Sequence, residues 1–239
     1  MDCATPLLVK IYADTADLVL ISEMCNRYGH LVSGVTTNPS LARKAGVPDY
    51  RTFILEATAL VGPRSISFEV LADDFAEMKR QALWIASQGA NVYVKIPIIN
   101  TRGEWCTELI SALSQAGVKV NVTAIFDDGQ VKAACEAVGD ATPSILSLFC
   151  GRISDTGRDC LPLVERAVRQ ARGRPIEILW ASAREPYNVV QAAGAKAQII
   201  TLFPEFIRKL RLLGKDLREF SRETVQMFVD DAQASGFVL

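Results

Sequence analysis

The sequence predicts a single α/β domain over residues 1–239, a (β/α)8 barrel of the TIM type with an additional C-terminal helix. Three observations carry this expectation. Short β-rich runs alternate with longer amphipathic segments from end to end, without a linker or low-complexity stretch. Eight such units fit into about 200 residues, each with a connection long enough for a right-handed crossover helix. The GxGxxG turn that a doubly wound open sheet uses for dinucleotide phosphates is missing, because "ADTADLVL" follows the first run. At 239 residues and 49% hydrophobic composition, the chain can bury roughly 70 to 75% of its unfolded surface, as one large domain does.

The elements follow in order. The first strand, "VKIYAD", ends near Asp14, the second, "LVSGVTTN", near Asn38, and the third, "SISFEV", near Val70. The segment "DFAEMKRQALWIASQG" then places Phe75, Met78, Ala82 and Ile85 on one helical face and Glu77, Lys79 and Arg80 on the other, with Gly89 as the expected stop. The fourth strand is "VYVKIP", ending near Pro97; "VKVNVTAIF", "SILSLF", "IEILWAS" and "AQIITL" supply the remaining four. The tail "SRETVQMFVDDAQASGFVL" reads as one more helix, with Ser221 and Thr224 as caps and an apolar stripe of Val225, Phe228, Val229 and Ala232. Such a helix can pack on its own barrel or on a neighbouring subunit.

Composition narrows the function. Lys and Arg number 26 and Asp and Glu 27, a net charge of -1, so no global basic field draws the chain to nucleic acid or to an anionic membrane. Any anionic ligand must be gripped locally. The N-terminal apolar run is too short for a signal peptide and no segment reaches the ~20 apolar residues of a membrane span, so a cytoplasmic protein is expected. The six cysteines lack CxxC spacing, and His30 is the one histidine. Neither a zinc site nor a histidine-based triad is indicated, and no cofactor motif is found.

In a barrel of this kind the chemistry sits at the C-terminal strand ends. Polar residues recur there: Asp14 on the first strand; Thr36, Thr37 and Asn38 on the second; Glu69, Lys95, then Asn121 with Thr123 on the next three. The sixth gives Ser147 and, beyond Phe149 and Gly151, Arg152; the seventh gives Ser182 and Arg184. Each has a plainer reading. Asp14 can cap the next helix, Asn38-Pro39-Ser40 can be a turn and a cap, and Arg152 can be a surface residue. Lys95 can snorkel from an edge strand, but the fourth strand of a closed barrel has no edge.

One lysine among carboxylate, carboxamide and hydroxyl groups points to covalent catalysis through a Schiff base to a carbonyl substrate. The amine must be neutral. Bringing a lysine from about 10.4 to roughly 7 or 8 disfavours the ammonium by on the order of 4 kcal/mol, and Val92, Val94 and Ile96 are the expected apolar surroundings. Asp14 and Glu69 are the candidate proton carriers, and Arg152, Ser182 and Arg184 form a local cationic and hydroxyl cluster where many barrels bind phosphate.

The stretches "YADTAD", "GVTTNPSL", "SFEV", "VYVKIP", "NVTAIF", "SLFCGRISD", "ASAREP" and "IITLFPEFI" run in order from residue 12 to residue 207. Together they resemble the transaldolase family, in particular its short-chain branch, which includes the fructose-6-phosphate aldolases. The resemblance implies that Lys95 forms a Schiff base with a ketose phosphate and holds its dihydroxyacetone unit. It implies Asp14 as acid/base on the donor hydroxyl, and Glu69 with Thr123 as the holders of a water used in imine formation and hydrolysis. Asn38, Asn121, Ser147 and Thr36 would bind donor hydroxyls, and Arg152, Ser182 and Arg184 the phosphate. Glu69 and Phe149 follow the transaldolase rather than the aldolase pattern, where Gln and Tyr stand. Leu148, Phe203 and the loop "IPIINTRGEW" depart from the common pattern and leave the aldehyde acceptor and donor chain length open. A homo-oligomer is also implied.

Overall fold

A computed structural model describes residues 9–237. Eight parallel strands close into a barrel in the order β1 to β8. They are β1 Lys10–Asp14, β2 Val32–Thr36, β3 Ser65–Glu69, β4 Val92–Pro97, β5 Val120–Ile125, β6 Ser144–Leu148, β7 Ile176–Trp180 and β8 Ile199–Leu202. Closure is made by β8 pairing with β1, Ile200 opposite Ile11 and Thr201 opposite Tyr12. Every strand matches an expected run, most of them shortened by one or two residues. β2 stops at Thr36 because Asn38 leaves the ladder to cap the next helix.

The helices are α1 Leu18–Asn26, α2 Pro39–Lys44, α3 Tyr50–Val61, α4 Phe75–Ala86, α5 Thr107–Gln115, α6 Asp128–Ala137, α7 Cys150–Asp155, α8 Leu161–Ala171, α9 Asn188–Gly194, α10 Pro204–Lys209 and α11 Leu217–Ser235. Local chemistry sets several starts. Asp17 accepts from Val19 and Leu20 N–H at the head of α1, and Asp49 and Asp74 do the same for α3 and α4. In α4 Met78, Ala82 and Ile85 are buried as the spacing required, but the helix closes on Ser87 at φ -70°. Gly89 is therefore not its stop. Among the described residues no helix is long and apolar enough to cross a membrane.

Two interleaved side-chain sets follow from the period of two along each strand. Facing the helices are apolar residues such as Ile66, Phe68, Val94, Ile96, Val120 and Val122, all without solvent exposure. Facing the axis, Tyr12, Ile145, Leu179, Ala181 and Ile199 pack together, with Tyr93 and Phe149 against them. This apolar plug fills the axis and supports the polar layer above it.

The chain divides into a barrel unit ending at Ile207 and a C-terminal unit beginning at Arg208. In the latter, α11 ends at Gly236 in the left-handed conformation and is capped at its start by Asp216, which accepts from Glu219 N–H. Ser221 and Thr224 lie inside the helix, and Thr224 Oγ1 donates back to the Phe220 carbonyl. Asp216 takes the cap because the helix extends one turn further towards the N-terminus than the apolar stripe alone indicates. None of its residues is buried.

Candidate active site

The barrel mouth holds a cavity of about 230 Å³ lined by residues from strand ends around the barrel. Asp14, Thr36, Asn38, Lys95, Thr123, Ser147, Phe149, Arg152, Ser182 and Arg184 all reach it. Ten of the expected side chains therefore meet in one place. Glu69 and Asn121 do not line it, and stand beside and beneath it.

Lys95 is 6% exposed. Its Nζ donates to the Thr37 carbonyl at 2.9 Å and lies 3.3 Å from Glu69 Oε2. This placement follows from register, since Lys95 sits opposite Glu69 on one side and Asn121 on the other. The expected apolar surroundings are corrected here. Val92, Val94 and Ile96 have the opposite parity to Lys95 and turn to the helices, so the amine meets the Thr37 carbonyl and the Glu69 carboxylate instead.

Asp14 is not a helix cap, a role taken by Asp17. Its Oδ1 accepts from Thr36 Oγ1 at 2.7 Å, which leaves Thr201 as the donor in its 2.5 Å contact with Thr36. Enclosure by the barrel wall raises the Asp14 carboxyl above the usual aspartate range; Lys95 and the Thr36 hydrogen bond pull it down, and Glu69 pushes it further up. A carboxyl held this way is suited to taking and returning a proton.

A polar belt runs below. Asn121 Nδ2 donates to Ser67 Oγ at 3.1 Å, and Ser147 Oγ donates to Asn121 Oδ1 at 2.7 Å. All three are essentially unexposed, so Asn121 supports Ser147 rather than facing the cavity. Thr123 Oγ1 is buried without a hydrogen-bond partner in the protein. Its strand is interrupted beside it: the β5–β6 register shifts between Val122 and Ile125, and Ala124 adopts φ +57°. Strain of this kind collects at functional sites.

On the other side, the Arg152 guanidinium lies 5.2 Å from the Phe149 ring centroid, and Phe149 packs on Phe126 at 5.5 Å. Arg184 is ion-paired with Asp155. The two arginines are exposed and approach through Gly151, whose missing Cβ makes room for the Ser182 carbonyl. Asn38 both caps α2, accepting from Leu41 N–H at 2.9 Å, and lines the cavity. Arg152 is likewise both a surface residue and a lining one.

Sequence reasoning missed Ser67, Thr201, Ser40 and Leu41. Ser67 and Thr201 carry the inward parity of Glu69 and Phe203, so strand alternation was the available signal. The Thr37 carbonyl left no signal, since any residue type supplies one.

The family model described as Transaldolase/Fructose-6-phosphate aldolase matches residues 11–238. The chain belongs to this family. A protein from Dehalococcoides mccartyi named "Probable transaldolase" is 37% identical over 196 residues, covering 81% of this chain and 86% of that one. Another of the same name, from Clostridium acetobutylicum, is 38% identical over 205 residues, covering 84% and 89%. Among solved structures, the tryptophan synthase A-subunit of Pyrococcus furiosus is similar with a TM-score of 0.58 at 12% identity, covering 91% of this chain and 96% of that one. That likeness concerns the fold alone. The chain is thus an enzyme of the transaldolase/aldolase family with a barrel-mouth site.

Proposed function

We propose that this chain is a transaldolase: it moves a dihydroxyacetone unit from a ketose phosphate, fructose 6-phosphate or sedoheptulose 7-phosphate, to an aldose phosphate through a Schiff base on Lys95. The observation that carries the reading is a buried amine 3.3 Å from a carboxylate, in a cavity that also presents Asp14 and, at its far side, two arginines. Lys95 attacks the donor ketone, and loss of water gives an iminium that accepts the electrons of the adjacent C–C bond. Asp14 takes the proton of the donor hydroxyl as that bond breaks and returns it when the acceptor aldehyde adds. Glu69 and Thr123 hold the water released and consumed at the imine. Asn38 and Ser147 bind donor hydroxyls, Asn121 acting through Ser147, with Thr36 orienting Asp14. Arg152, Ser182 and Arg184 bind the phosphate, which a cationic pair does well.

The test is borohydride reduction with fructose 6-phosphate followed by peptide mass spectrometry. A three-carbon adduct on Lys95 is expected, and its absence sinks the Schiff-base reading. Fructose-6-phosphate aldolase activity, which the same family includes, is distinguished by donor alone: release of free dihydroxyacetone as fast as transfer favours that reading. Phe149 argues for transfer, since it offers the mouth no hydroxyl with which to protonate the bound three-carbon unit.

A further inference from the structure

Beyond these residues, we propose that Tyr50, the first residue of α3, is a positioning residue for the Lys95 site: its hydroxyl fixes the backbone of Glu69 and so holds the Glu69 carboxylate against Lys95. The proposal rests on the Schiff-base reading. Its basis is an orphaned piece of strand. In β3, Ser67 and Glu69 turn their backbone groups towards β2, and the Ser67 carbonyl is satisfied there by Thr37 N–H at 3.1 Å. Two residues on, β2 is no longer present, because the chain has left the ladder at Asn38 to begin α2. Glu69 thus has a backbone donor and acceptor facing no strand, at the position where its side chain must be held.

Tyr50 takes both. Its hydroxyl donates to the Glu69 carbonyl at 3.2 Å and accepts from the Glu69 N–H at 3.3 Å. It also reaches the side chain of Thr37, whose carbonyl accepts a hydrogen bond from Lys95 Nζ. One phenol therefore touches both residues that hold Lys95. The ring itself is fixed by stacking on Phe53 at 5.9 Å, and Phe53 packs edge-on against Phe68 of β3. Burial pushes the Tyr50 hydroxyl up to about 12, so it stays a donor throughout the neutral range. The side chain is not among those lining the mouth cavity, which excludes direct contact with a sugar there.

The test compares Tyr50→Phe with the parent in borohydride trapping, steady-state kinetics and thermal unfolding. Loss of the hydroxyl is expected to slow adduct formation on Lys95 by about tenfold or more, as misplaced catalytic groups do, while KM for the phosphorylated donor stays within about twofold. The pH–rate profile of Tyr50→Phe should be displaced from that of the parent. If Tyr50 acts through Glu69, the double variant Tyr50→Phe/Glu69→Gln is no slower than Glu69→Gln alone. A parent that traps and a Tyr50→Phe variant that traps equally fast, with an unmoved pH profile, overturns this proposal and leaves the Schiff-base reading standing. Additive losses in the double variant overturn it as well. A parent that gives no adduct overturns both.

Discussion

Gly151→Ala is the most demanding test of the phosphate grip, because the perturbation is one methyl group on a residue that touches no sugar in the proposed mechanism. A Cβ at Gly151 would stand 1.6 Å from the Ser182 carbonyl oxygen and 3.0 Å from Arg184 Nε. Ordinary contact begins at 3.4 Å, so the Ser182 carbonyl or the first turn of α7 must withdraw by about 1.8 Å. Ser182 has little freedom to comply, since it already occupies φ +62°, a region that costs a non-glycine residue about 1–2 kcal/mol. Either movement displaces a cation, Arg184 with the β7 loop or Arg152 with α7. A misplacement of about 1 Å is enough to cost on the order of 100-fold in rate, or about 2.7 kcal/mol of barrier. The overpacking itself should destabilise by about 1–3 kcal/mol, lowering the melting temperature by about 2–4 °C for each. The assay is kcat/KM for fructose 6-phosphate against unphosphorylated fructose, with calorimetry in parallel. The phosphorylated donor should suffer far more than the unphosphorylated one. Equal losses for both donors, or kinetics unchanged from the parent, would refute the assignment of this cluster to phosphate.

Asp14→Asn should lower kcat by about 10² to 10⁴, the range for loss of a general acid/base, yet stabilise the fold once the pH is above the range in which the folded carboxyl titrates. Because the folded carboxyl is raised from 3.8, the native state holds that proton more tightly than the unfolded chain. The stability this gives is lost as pH rises from the unfolded value through the folded one, and Asn escapes the loss. Urea midpoints should therefore coincide in acid and favour the variant near pH 8; equal midpoints at both contradict the cause assigned. Ser147→Ala leaves the buried Asn121 Oδ1 without its 2.7 Å donor, a loss of about 1–3 kcal/mol, read as a lower urea midpoint, and a parental midpoint denies the belt any structural role. For the expected homo-oligomer, α11 exposes Val225, Phe228 and Val229 at 57%, 60% and 44%; light scattering should give a multiple of 26.1 kDa, and a mass of 26.1 kDa refutes it.

Read locally, the sequence determines most of the fold. Strand and helix periods, Asp and Asn caps, and the polar groups at seven of the eight strand ends are properties of neighbouring residues, and the barrel needs little more. Lys95 stood out for the same reason, as a charge inside a β-branched run. What surrounds it was decided by tertiary structure. The Lys95 to Glu69 contact depends on the β3–β4 register, and the Thr37 carbonyl reaches the amine only because β2 lies one strand beyond β3 in the barrel wall. Period-two alternation sent Val92, Val94 and Ile96 to the helices, so the neighbours adjacent in sequence are absent from the site, and residues 26 and 58 positions away replace them. The left-handed Ser182, the space at Gly151 and the phenol of Tyr50 behind Glu69 are likewise pairings between distant segments. Local patterns carry which face of a strand or helix is apolar. Only closure of the barrel decides which side chains from different strands meet, because that depends on register summed around all eight.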